Sequence, residues 1–277
     1  MTRRRKVTIA VFGTLAVPLL AIVPFILNGT LLCAGTTPRS GSVSSTASQQ
    51  DTPDGETRVM AFNIAKCFVY KGGCDFADRA SVESRLDAVA DIIRAANPDV
   101  VCLSEIVHEC GPCDIDQVRY LAEHTALTNW AFGECFSFGL PFYRVASGNA
   151  IISRHPVRPL INLELAGRKP FYITKNNRRA LVAEVAFPDG NAIVWSLHND
   201  SFNLSNNLEQ VRQILAHPLS ERAFLAGDFN ARPTDESMLT FRRSGRFAGI
   251  FDGPNTFPAD QPTRTIDFVL APVDYSV

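Results

Sequence analysis

The chain has 277 residues, 46% hydrophobic and 20% charged, an ordinary globular composition with enough length for one large core. Its formal charge is −1, and setting aside the basic residues Arg3, Arg4, Arg5 and Lys6 leaves −5 for the body. A mildly acidic body argues against non-specific polyanion binding, without excluding a nucleic-acid substrate.

The basic cluster is followed by residues 7–27, 21 positions without a charge, enough at helical rise to cross a hydrocarbon core of roughly 30 Å. Residues 1–35 are therefore expected to be an export signal or a membrane anchor, with the body outside the cytoplasm. Pro18 and Pro24 weaken a straight spanning helix, and Cys33-Ala34-Gly35 offers small residues to a signal peptidase, so anchored and cleaved forms both stay open. Leu32 is too large for a lipidation site at Cys33. Residues 36–56, rich in Ser, Thr, Gly, Pro and Gln, read as a flexible linker, and residues 57–277 as one domain.

Seven cysteines suit export. Proximity favours a disulfide of Cys67 with Cys74, and of Cys110 with Cys113 or Cys135, leaving Cys102 as a buried thiol. Cys110-Gly111-Pro112-Cys113 looks like the redox motif of thioredoxin-like proteins, yet it is expected in a loop about five residues past a strand end. A structural clasp suits it better than a redox centre.

In chain order, residues 58–64 read as a strand whose polar intruder is Asn63, and residues 81–96 as an amphipathic helix capped by Ser81 and ended by Asn97-Pro98. Residues 99–103 form a buried strand that delivers Ser104 and Glu105 beyond its end. A carboxylate there needs solvent, a partner or a cation, which makes Glu105 a candidate metal ligand. A second helix spans residues 115–125. An aromatic loop with Phe136, Phe138, Phe142 and Tyr143 precedes a strand at 147–154. Residues 179–185 and 192–197 make a hairpin around Pro188-Asp189-Gly190-Asn191. It starts at Arg178 and Arg179, candidate phosphate clamps, and ends at His198, placed to protonate a leaving oxygen. The other histidines, His108, His124, His155 and His217, read as surface or packing residues.

Helices are expected at 207–216 and 234–243. Between them Ala223-Phe224-Leu225-Ala226 is a buried strand, and Gly227-Asp228-Phe229-Asn230 follows. If the segment stays extended, Asp228 and Asn230 point the same way while Phe229 enters the core. A carboxylate can orient or deprotonate water, and an amide can donate to a phosphoryl oxygen without repelling it. Residues 265–270 close the series with a buried acid, Asp267, that wants a cationic or histidine partner.

Asn63, Glu105, Arg179, His198, Asp228 with Asn230, and Asp267, all at strand ends and in this order, resemble the endonuclease/exonuclease/phosphatase superfamily over residues 57–270. The resemblance implies an α/β four-layer sandwich, two central mixed β-sheets flanked by helices, with Mg²⁺ or Mn²⁺ at the sheet edge. It implies that Glu105 and Asn63 hold metal, that Asn63 and Arg179 contact phosphate, and that His198, Asp228, Asn230 and Asp267 form the catalytic group. The family's pattern ends in a Ser-Asp-His segment beyond the position of Asp267, and the chain as given stops at Val277. This predicts a sequence lacking its last strand, with weak or no turnover as it stands. The substrate is expected to be a phosphate ester: nucleic acid, a phospholipid head group or a small ester. The protein is expected to be a monomer, touching the membrane through its N-terminal segment. Two other readings stay open: a non-catalytic phosphate-ligand-binding domain of the same fold, and a thiol protein built on Cys110 and Cys113.

Overall fold

Continuous apolar runs in the strands give each sheet two buried faces, because side chains alternate across a strand and both faces meet something apolar. The computed structural model describes residues 16, 20, 37–45, 47, 56–72, 75–140, 143–167, 178–249, 251 and 253–275. The rest of the expected leader, with Cys33, lies outside the described residues, as do Cys74 and Phe142. In the first half the elements are β1 (Arg39–Ser42), β2 (Val59–Asn63), β3 (Tyr70–Gly72), β4 (Asp75–Phe76), helix α1 (Arg79–Ala96), β5 (Val100–Cys110), α2 (Gln117–Thr125), β6 (Asn129–Leu140) and β7 (Tyr143–Ser153). The second half continues with β8 (Val157–Glu164), β9 (Arg179–Phe187), β10 (Gly190–His198), α3 (Leu204–Ala216), β11 (Ala223–Asp228), α4 (Glu236–Arg243), β12 (Phe247–Gly249) and β13 (Asp267–Pro272).

Five strands form one main sheet in the order β1-β6-β7-β5-β2, six form the second in the order β12-β13-β11-β10-β9-β8, and β3 pairs with β4 in a small ribbon. Both sheets are mixed: β2 with β5 and β10 with β11 run parallel, and the other neighbours antiparallel. The outer face of the first sheet, with Val101, Leu103, Phe132 and Ile152, packs under Val82, Leu86 and Ile93 of α1 and Val118 and Leu121 of α2. Trp195, Leu225 and Phe268 do the same for the second sheet beneath Val211 and Ile214 of α3 and Met238 and Phe241 of α4. The alternate residues, Val100, Cys102 and Ile151 against Leu181, Val194 and Ala226, fill the space between the sheets. This is the expected four-layer sandwich. Each fully buried large aliphatic contributes about 1.5–3 kcal/mol.

The boundaries differ from the sequence reading in ways that matter for the site. Strand β5 does not end at Leu103 but runs on to Cys110, and its register against β7 shifts between Leu103 and Ile106. Glu105 lies in that bulge with φ 52°. Helices α1 to α3 take acceptor caps outside the apolar period: Asp78 accepts from Ser81 N at 2.8 Å, Asp116 caps α2 and Asn203 caps α3. Ser81 thus sits inside the first turn. Phe136 and Phe138 belong to β6 and Tyr143 opens β7, so the aromatic stretch is a pair of strands. Part of the expected linker is also ordered. Strand β1 pairs with β6, fixed by Arg39, which ion-pairs with Glu109 and donates to Glu134 Oε2 at 2.9 Å.

Cys67, Cys102, Cys110 and Cys113 are buried free thiols and Cys135 is buried too, so among the described residues the expected clasp from Cys110 is not made. Strand β5 ends on Cys110, which places the Cys-Gly-Pro-Cys turn directly at the strand's end. Cys113 instead donates to the Ala77 carbonyl at 2.9 Å. Burial pushes Cys67 and Cys110 up to about 12 and raises Cys102 strongly. A Cys110 thiol so protonated is a poor nucleophile, which speaks against a redox centre built on it. Among the described residues no helix is long and apolar enough to cross a membrane.

Candidate active site

The two parallel pairs set the site, since open α/β sheets gather ligands at the carboxyl ends of their strands. Asn63 ends β2, His198 ends β10 and Asp228 ends β11, with His198 in register with Asp228. Across β11, Asp228 is paired with Asp267, the first residue of antiparallel β13. Gly227 makes the approach possible. It has φ +145°, and a Cβ built there would lie 2.1 Å from Leu197 O. Asp228 then accepts from Asn63 Nδ2 at 3.0 Å and from the Asn230 backbone N–H at 2.8 Å. His198 Nε2 stands 3.8 Å from both Asp228 Oδ2 and Glu105 Oε1. The Lys66 ammonium ion-pairs with Glu105 Oε2.

Burial controls the charges here. Asp228 is pushed up to about 7, by burial first and by Asp267 second, against the bonds from Asn63 and Asn230 and the charge of Arg178. Asp267 is raised by burial and only partly relieved by Thr256, and its Oδ1 has no hydrogen-bond partner. His198 is held well below its ordinary value by burial, then by the positive charges of Arg178 and Lys66. At neutral pH the site therefore holds a neutral imidazole and a carboxylate poised to take or release a proton.

The raised acids make stability pH-dependent. A folded-state value above the unfolded one means that the native chain holds the proton more tightly, so the contribution is complete below about pH 4 and is lost as pH rises through about 7. Asp267→Asn removes the second cause. Its melting temperature in EDTA is expected to gain on wild type between pH 4 and pH 8 by roughly 3–5 °C per tenfold relief of proton affinity. A difference that is flat, or that shrinks with pH, would contradict the pairing.

Several residues are placed otherwise than expected. Asn230 has φ 49° and has left the strand; its backbone N–H serves Asp228, while its side-chain amide donates to Asn199 O at 3.0 Å. Asn63 spends its amide on Asp228 and accepts from Ala65 N at 2.9 Å on its oxygen, so its first task is to position Asp228. Arg179 turns away from the site, donating to Asn162 O and Glu164 Oε2 at 3.3 Å each. The neighbouring Arg178, held by Ser201 Oγ at 3.0 Å, is the arginine whose charge reaches His198 and Asp228. Asp267 faces Asp228 and Thr256 where a cation or histidine was expected. His108, His155 and His217 lie tilted or edge-on against aromatic rings and His124 stacks on Tyr120, as packing residues.

Lys66 is the residue the sequence reading missed. It rides on a single turn, Ala65–Phe68, whose four non-glycine residues all have left-handed φ of 46–56°. Such backbone costs on the order of 1–2 kcal/mol per residue and persists only where the surroundings fix it. Nothing in the local pattern Ile-Ala-Lys-Cys announces it.

The profile of the Endonuclease/Exonuclease/phosphatase family matches residues 60–275. The chain belongs to this family. The solved structures agree with the fold. An endonuclease/exonuclease/phosphatase from Beutenbergia cavernae DSM 12333 is 24% identical with a TM-score of 0.61 over 78% of this chain. The match spans 64% of that protein's length, slightly less than two thirds. A family protein from Leptotrichia buccalis C-1013-b is 15% identical, with a TM-score of 0.55 over 78% of this chain and 87% of its own. The human Nocturnin catalytic domain with bound sulfate anion is 16% identical, with a TM-score of 0.53 over 86% of each chain. No curated protein sequence matches the chain. Membership places the chain on a phosphoric-ester hydrolase fold.

Proposed function

We propose that the chain is a metal-dependent hydrolase of phosphodiester or phosphomonoester bonds that acts outside the cytoplasm, held by residues 7–27 or released after signal cleavage. The supporting observation is the meeting of Asp228, Asn63, His198 and Glu105 at the carboxyl ends of two parallel strand pairs, in a chain of this family. The sulfate on the Nocturnin domain, an anion of phosphate's shape, supports the same chemistry.

The residues present suit a hard divalent cation. Glu105 is an oxygen donor that already attracts a positive charge, Asp267 Oδ1 is buried without a partner, and Asp228 is raised by a neighbouring negative charge that a cation would offset. Among the described residues no three of His, Cys, Asp or Glu gather into a cage. Mg²⁺ does not need one, because it keeps several waters and takes one or two carboxylates plus substrate phosphate. Glu105 would hold it, with the Asn63 side-chain oxygen as a further oxygen donor. When bound, Mg²⁺ or Mn²⁺ would neutralise the charge that develops on the phosphoryl group.

The protein's own residues supply the rest. Asp228, fixed by the Asn63 and Asn230 N–H groups, orients a water and accepts its proton. A base whose affinity for protons lies near neutrality combines availability with driving force. His198, kept neutral by burial, donates its ring N–H to a phosphoryl or leaving oxygen without having to lose a charge. Arg178 provides the fixed positive charge for phosphate. The test is hydrolysis of bis-p-nitrophenyl phosphate by the protein expressed from its whole coding sequence and purified. Turnover is expected with Mg²⁺, none in EDTA, and none of the Mg²⁺-dependent part in Glu105→Gln. Unchanged turnover in that variant would sink the metal assignment, and phosphate binding by wild type without turnover would replace hydrolysis by ligand binding.

A further inference from the structure

Lys66 is placed by a device that packing alone does not explain. The left-handed turn that carries it is clamped from two sides. Gln117, fully buried at the start of α2, donates to Lys66 O at 2.7 Å while accepting from Val107 N at 3.0 Å, and Arg85 donates to Cys67 O at 3.1 Å. Cys67 is buried beneath the turn, whereas the Lys66 and Glu105 side chains remain 26% and 29% exposed. The clamp thus spends buried polar groups on a strained backbone, and what it delivers is one ammonium over one carboxylate at the edge of the site. The Phe136 ring lies 5.9 Å from Nζ on another side, so the ammonium has a second face to rest on.

Two cations compete for one carboxylate. Resting on the metal-assisted reading above, we propose that Lys66 is the resident counter-cation of Glu105, displaced when a divalent cation binds, and that the freed ammonium then binds the phosphoryl oxygens of the substrate. A partly exposed ion pair is weak enough to be displaced, and its tether keeps the ammonium within the site afterwards. Lysine suits the task because its head is a compact point charge on a flexible stem, free to move from carboxylate to phosphate. The empty site is then neutralised at Glu105, and the loaded site has the lysine where substrate charge arrives.

The experiment is calorimetric titration of the full chain with Mn²⁺ alone, in wild type, Lys66→Met and Lys66→Arg, followed by titration with inorganic phosphate at saturating Mn²⁺. Lys66→Met is expected to bind Mn²⁺ about fivefold or more tightly than wild type, and phosphate about fivefold more weakly, with Lys66→Arg close to wild type in both. Measurable and equal Mn²⁺ affinities in wild type and Lys66→Met overturn the competition and leave the hydrolase reading standing. Unchanged phosphate affinity in Lys66→Met overturns the handover. Absence of Mn²⁺ binding by all three chains overturns the proposal together with the metal-assisted reading. Thermal melts of each chain check the fold, with Lys66→Gln as the substitute should the methionine variant not fold.

Discussion

Gly227→Ala is expected to lower the melting temperature by roughly 10 °C or more, or to prevent folding. The residue has φ +145°, in a region that side chains with a Cβ hardly visit, and the added carbon would sit 2.1 Å from Leu197 O, 2.8 Å from Leu197 N and 2.9 Å from Leu197 C. All three atoms are backbone of β10, the parallel neighbour of β11, so no rotamer change relieves the clash. Only a separation of the two central strands would, at a cost of about 4 kcal/mol or more. Each kcal/mol is worth about 2–4 °C in a domain of this size. Gly190→Ala is the control: φ is +132° there too, but nothing lies within 4 Å of the added carbon, so only the backbone strain remains. A Gly227→Ala chain melting within 2–3 °C of the Gly190→Ala chain would show that β10 and β11 are not held as closely as described.

The same glycine shows how much of the site was legible in the sequence. An apolar run broken by Gly-Asp-Phe-Asn announces a strand ended by a polar pair, and the fold keeps that: Phe229 is fully buried with its ring edge-on to Phe241 and Phe268. The spacing argument for Asn230 fails because the chain turns after Asp228, so Asn230 serves it through a backbone N–H in place of a parallel side chain. Glu105 was legible as an unusual acid but not as a bulge. Ile106 and Val107 continue the apolar run, and a bulge appears only in the register of the partner strand.

Long-range partners were the least legible. Strand β1 in a Ser- and Gly-rich stretch is held by backbone pairing and an arginine, which composition does not register. Arg178 and Arg179 are indistinguishable in sequence, and only the pleat decides that one turns toward the site and the other toward Glu164. The cysteine spacing suggested clasps, whereas the fold buries the thiols apart from oxidant and gives Cys113 a carbonyl to donate to.

Asp228→Asn is expected to reduce hydrolysis of bis-p-nitrophenyl phosphate by about 10²- to 10⁴-fold with KM changed by a few-fold at most. The amide keeps the size of the side chain but cannot take a proton from water. In wild type the carboxylate form is the active one, so kcat/KM should rise with pH. Its inflection should lie at or below about 7, because a bound cation can only lower the value that burial and Asp267 have raised. In Asp228→Asn that rise should vanish. A variant retaining more than about a tenth of wild-type turnover, or keeping the same pH inflection, would assign the base elsewhere. Asn63→Ala separates proton transfer from positioning. It removes the donor to Asp228 Oδ2 at 3.0 Å and the oxygen that accepts from Ala65 N, but leaves the base itself, so its loss should be smaller, about 10- to 100-fold, and largely absent on top of Asp228→Asn. Full additivity of the two losses would mean that Asn63 acts on the substrate or the cation and not through the aspartate it holds.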